Sequence, residues 1–154
     1  MEVQYIFRPQ ALNRVNQSQL DKVMAILAKL EYRVFTLDGK NVHDKLSYLA
    51  KAGRDLPHPE GMFSHNNWDA YNDNAWYGLH ELPDARVAFV WTDAQDMLHG
   101  NQKDFLVAVD ILEKLSRDVA HTEHRFSHPM DLRTFLFGEG DEFPVDVPGV
   151  TCRA

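Results

Sequence analysis

The sequence predicts an α/β domain built on a small parallel sheet. Two observations carry this. Short runs rich in aromatic and β-branched residues alternate along the chain with stretches of helical periodicity, and that alternation gives parallel strands joined by right-handed helical crossovers. One of the runs, Arg86-Val87-Ala88-Phe89-Val90-Trp91, is apolar almost throughout, as a strand covered on both faces must be. The expected core is a strand, two helices, a strand, two helices and a last strand. One further strand and helix precede it.

In chain order, Val3-Gln4-Tyr5-Ile6-Phe7-Arg8 reads as a strand stopped by Pro9. Leu20, Val23, Met24, Ile26, Leu27 and Leu30 follow helical spacing from Ser18 to Leu30, with Ser18 or Asn16 as cap. Tyr32–Leu37 is a strand closed by Asp38-Gly39. Val42, Leu46 and Leu49 give an amphipathic helix ending near Ala52-Gly53, where Gly is a natural C-cap. Pro57-His58-Pro59-Glu60-Gly61 is a rigid loop before the next helix, and strand Arg86–Trp91 follows that helix. Asp93 to His99 is a short helix broken at Gly100-Asn101. A long helix then runs from Gln102 to about His121, with Phe105, Val109, Leu112 and Leu115 on its core stripe. Leu132–Phe137 is the last strand, ending at Gly138. The remainder, carrying Glu139, Asp141, Glu142 and Asp146, reads as an acidic extended tail.

A chain of 154 residues fits one domain. Its 44% hydrophobic and 11% aromatic content supplies a core. A formal charge of −7 disfavours nucleic acid or an anionic membrane as partner and suits a basic protein. The lone Cys152 cannot form an internal disulfide, so it reads as an inert tail thiol in a reducing compartment. No signal-peptide pattern and no membrane-spanning apolar run is expected. The expected protein is cytoplasmic.

The most informative stretch is Phe63 to Trp76. Asn66 or Asn67 can cap a helix from Trp68 to about Leu79. Trp68, Ala75 and Leu79 would face the core, with Tyr71 at the edge of that face. Asp69 and Asp73 stand together on a neighbouring face beside Trp76. Like charges four apart cost a helix roughly 0.2–0.5 kcal/mol. Asp69 favours the helix dipole from the first turn, but Asp73 has no such compensation. The pair suggests a surface meant to meet positive charge. From Asp55 to Asp84 the chain carries Asp55, Glu60, Asp69, Asp73, Glu81 and Asp84 with no Lys or Arg. The plainer account of such a run is a solvated acidic face.

Asn67-Trp68-Asp69-Ala70-Tyr71-Asn72-Asp73, preceded by Phe63 and followed by the strand, long helix and last strand, resembles the barstar family of ribonuclease inhibitors. The similarity covers roughly Tyr32 to Gly138. It implies a barstar-like fold and a protein that plugs a ribonuclease active site with its acidic helix. Asp73 would sit where the scissile phosphate binds, Asp69 would pair with a second basic residue, and Phe63 would pack on the rim. A carboxylate can stand in for a pair of phosphate oxygens, because Arg forks onto either. The implied contact set is Phe63, Asn67, Asp69, Asn72, Asp73 and Trp76. Ser64 and His65 replace the family's usual Gly, and Asn72 stands where the family's namesake carries a contacting Trp. Trp76 lies one turn later, open between contact and partial burial. Glu113 is nearest in register to a further acidic contact.

Other classes fit less well. His121, His124 and His128 have helical spacing for a metal, but no nearby carboxylate or Cys completes a shell, and His-Thr-Glu-His is one residue short of the zinc-protease pattern. No phosphate-binding Gly loop or nucleophile elbow is present. Asp69 and Asp73 share one exposed face, so nothing splits their acidities for acid–base work. The sequence therefore predicts a non-enzymatic monomer without cofactor or metal, whose partner is a basic protein, most simply a ribonuclease. It would serve as the immunity partner or antitoxin of a nuclease. The alternative is an interaction module that regulates another basic protein through the same helix. The expected organisation is an N-terminal strand–helix addition over 1–31, the barstar-like domain over 32–138 and the acidic tail over 139–154.

Overall fold

The computed structural model describes residues 2–3, 12–59, 67–120, 129–143 and 152–153, with residues 2–3 and 152–153 described by backbone alone. Four strands, β2 (Leu12–Asn16), β3 (Arg33–Asp38), β4 (Arg86–Thr92) and β5 (Asp131–Gly138), form one fully parallel sheet in the order β2-β5-β4-β3. A separate short antiparallel pair joins β1 (Glu2–Val3) to β6 (Cys152–Arg153). The expected α/β class and parallel sheet are present, with Leu12–Asn16 as the fourth member.

β4 lies between β3 and β5, and Val87 to Trp91 are all buried. Its alternate residues serve two cores. Val87, Phe89 and Trp91 join Leu132 and Leu136 under the helices α2 (Lys45–Asp55), α3 (Trp68–His80), α4 (Gln95–Gly100) and α5 (Gln102–Asp118). Ala88 and Val90 join Phe135 and Phe137 on the other face, under α1 (Leu20–Lys29). The continuous apolar run thus has the two-sided burial that it predicted.

The N-terminal strand departs from the sequence reading. The described strand is Leu12–Asn16; of the expected strand Val3–Arg8, residues 4–8 lie outside the described residues, and Val3 pairs with Cys152. β2 lies beside β5, at the edge of the sheet opposite β3. Burial accounts for this. From the β5 edge the chain crosses to β3 through α1, whose Val23, Ile26 and Leu27 are buried in one cluster with Phe135, Phe137, Ala88 and Val90. A strand next to β3 would leave the two phenylalanines in water. Asn16 caps a 3-10 turn, Gln17–Gln19, ahead of α1 by accepting from the Ser18 N–H. At its other end Glu31 takes φ 63° and the Tyr32 N–H returns to the Leu27 carbonyl, a left-handed cap made without glycine.

α2 also differs in phase. A capping box between Asp44 and Ser47 starts it, so Val42 precedes the helix and Gly53 lies inside it. Tyr48, Leu49 and Ala52 face the core, while Leu46, on the opposite side, is exposed. After Gly138 the chain is not simply extended: it turns, and Phe143 is buried against Gly138.

Candidate functional site

α3 begins where Asn67, in extended conformation, accepts from the Ala70 N–H at 2.7 Å. That choice of cap sets the phase of everything after it. Tyr71, Asn74, Ala75, Gly78 and Leu79 turn inward. Trp68 is half-buried and packs on the core, and Tyr71 is buried rather than marginal. Asp69 and Asp73 are exposed, with Asn72 and Trp76 half-buried beside them.

The helix is held to the sheet by aromatic rings. The hydroxyls of Tyr48 on α2 and Tyr71 on α3 lie 2.8 Å apart, and their rings meet edge to face at 5.5 Å. Tyr48 also contacts Trp68 at 5.8 Å and Trp91 at 5.0 Å, and Trp91 meets Phe105 of α5 at 5.7 Å. Burial pushes the pKa of both phenols up, so both remain neutral partners. The ring chain runs from the acidic helix to β4 and α5, and fixes the carboxylates on a rigid support.

Near the other end, the loop at Pro57-His58 crosses α3 at Gly78. A Cβ there would lie 2.4 Å from the backbone of both loop residues. Gly78→Ala is therefore expected to destabilise the protein by about 1–3 kcal/mol despite its better helix propensity, because backbone cannot move aside as a side-chain tip can. A thermal melt measures this; an unchanged or higher midpoint would mean that the loop is not seated on the helix.

Several acids of the chain are held internally. Asp84 receives Arg33 at 3.1 Å and Asp55 receives Arg54 at 3.0 Å, while Asp44 accepts from the Ser47 N–H and Asp104 from the Lys45 N–H. Asp69 and Asp73 have no hydrogen bond or ion pair among the described residues. They also line none of the grooves formed by the described residues alone, such as the 360 Å³ groove of Arg33, Phe35, Arg54, Pro57, His58 and Gly78. An exposed acidic helix face can enter a basic cleft on another molecule.

α3 brings together Asn67, Asp69, Asn72, Asp73 and Trp76 of the expected contact set. Phe63 lies outside the described residues, as do His121, His124 and His128. Among the described residues no three metal-ligating side chains converge. Glu113 is half-buried on α5, with no hydrogen bond or ion pair among the described residues. Sequence reasoning missed Tyr77, which is 57% exposed. Four residues after Asp73, it lies about 40° further round the same face. The spacing was sufficient to find it, but an aromatic next to an apolar stripe reads as core.

The family model described as Barstar (barnase inhibitor) matches residues 32–131. The chain belongs to the barstar family. The match opens one residue before β3, contains the whole of α3, and closes at the first residue of β5. It leaves β2 and α1 outside, so the barstar segment here shares its sheet with a strand and helix that the match does not include. No curated protein matches the chain. In the described residues no helix is long and apolar enough to cross a membrane.

Proposed function

We propose that this protein inhibits a ribonuclease by seating α3 in the enzyme's active-site cleft. The observation that carries the reading is the pair Asp69 and Asp73, exposed and without a partner among the described residues, on an anchored helix within a barstar-family segment. Asp73 takes the place of the scissile phosphate and accepts from the enzyme's cationic groups, and Asp69 pairs with a second base. Asn67, Asn72 and Trp76 flank them, and Phe63 packs on the rim. Because the ring network holds the helix in place, little ordering entropy is lost on docking. No bond is made or broken by the inhibitor. The same reading makes it a cytoplasmic monomer that acts as the immunity partner of a toxin nuclease, with a basic protein and not nucleic acid as its ligand.

Co-expression with barnase and other small basic ribonucleases, followed by RNA cleavage with purified components, tests the proposal. Cell survival and stoichiometric loss of cleavage are expected with at least one enzyme. Full cleavage by every enzyme, together with a stable complex with a basic protein that is not a nuclease, would instead support the interaction module.

A further inference from the structure

We propose that Tyr77 is a specificity-determining residue of this face: its ring is a stacking platform for a partner arginine whose guanidinium forks onto Asp73. The inference rests on the reading of α3 as the docking face and names the cation which that face selects. Tyr77 is 57% exposed and, among the described residues, its side chain makes no ring contact or hydrogen bond. It follows Asp73 by one turn, about 6 Å along the axis, so a planar cation can touch carboxylate and ring together. A guanidinium suits both, since it is planar, forks onto carboxylates and stacks on aromatic faces, whereas an ammonium does neither well.

The chain already builds this arrangement once within itself. Arg33 lies 5.2 Å over the ring of Phe35 and donates to Asp84 at 3.1 Å. On α3, Asp73 and Tyr77 present a carboxylate and a ring one turn apart, and the helix itself carries no Lys or Arg. The other large exposed apolar side chains differ in charge setting: Leu46 follows Lys45, and Leu106 shares a groove with Lys103, but α3 has no Lys or Arg. Where an aromatic contact is absent at Asn72, Tyr77 supplies one a turn and a half further along.

The test is an NMR titration of the full chain with N-acetyl-arginine amide and, separately, N-acetyl-lysine amide, which carry the same charge. Arginine amide is expected to shift the Tyr77 ring and Asp73 amide signals and to bind about two- to five-fold more tightly than lysine amide, the scale of an exposed cation–π contact. Tyr77→Ala should reduce arginine binding to the lysine level, and Tyr77→Phe should keep the preference. Equal binding of the two amides, no change in Tyr77→Ala, or shifts away from α3 would overturn the proposal. Ribonuclease inhibition is measured on the same samples. Arginine preference without inhibition would sink the ribonuclease reading and leave this one standing; inhibition without the preference would do the reverse.

Discussion

Asp73→Ala is expected to weaken binding to an inhibited ribonuclease by more than about 2 kcal/mol, roughly 30-fold or more in Kd. That scale is general for buried interfacial charge pairs, with barnase and barstar as its familiar measured case, and is not read from this structure. Its cause is the state of the partner: truncating Asp73 leaves cationic enzyme groups desolvated with nothing to accept their hydrogen bonds. Asp69→Ala should weaken binding as well. The free protein should hardly notice, because removing one member of a like-charge pair relieves only ~0.2–0.5 kcal/mol, and neither carboxylate has an internal partner among the described residues. Association should slow as salt rises, since an acidic face is steered to a basic cleft by long-range attraction. Binding rates and melting curves for both variants, at low and high salt, check all of this. If both bind normally, α3 is a solvated face and the inhibitor mechanism is wrong.

Deleting residues 1–30 should unfold the protein or leave it aggregated, although the barstar match begins only at residue 32. The deletion removes Val15, Val23, Ile26 and Leu27 and bares Ala88, Val90, Phe135 and Phe137. Re-exposing Val90 and the two phenylalanines gives back about 1.5–3 kcal/mol each, roughly 5–9 kcal/mol together. This is an upper bound, since the unfolded chain already hides part of that surface, yet it rivals the ~5–15 kcal/mol by which a whole domain is stable. An apolar sheet face left open is also a site for aggregation. The point variant Phe137→Ala in the full chain isolates the packing term, with an expected loss of about 3–5 kcal/mol. A truncated protein that stays soluble, melts at the full-length temperature and inhibits normally would show β2 and α1 to be a dispensable arm.

Features that depend on neighbours in the chain were legible from the residues alone. The apolar run Arg86–Trp91 announced a strand buried on both sides, because both faces of its pleat carry the same chemistry. The choice between Asn66 and Asn67 placed the start of α3 within one residue, and the exposure of Asp69 and Asp73 followed from the helical period. The motif from Asn67 to Asp73 pointed to the family that the matched segment shows. Where a cap moves the phase, the same counting failed: Leu46 faces water because Asp44 and Ser47 start α2 after Val42.

Tertiary structure alone decided the rest. Leu12-Asn13-Arg14-Val15-Asn16 has two asparagines, poor strand formers, and is a strand because β5 offers an unpaired edge and α1 needs to span the sheet's second face. Strand pairing is a contact between distant segments, so no local pattern could say which edge β2 would take. Tyr77 had the period of the acidic face but the chemistry of the core, and only the packing of Tyr71, Gly78 and Leu79 beneath it left its ring in solvent. Periodicity states which residues share a face; the neighbouring elements decide whether that face is covered.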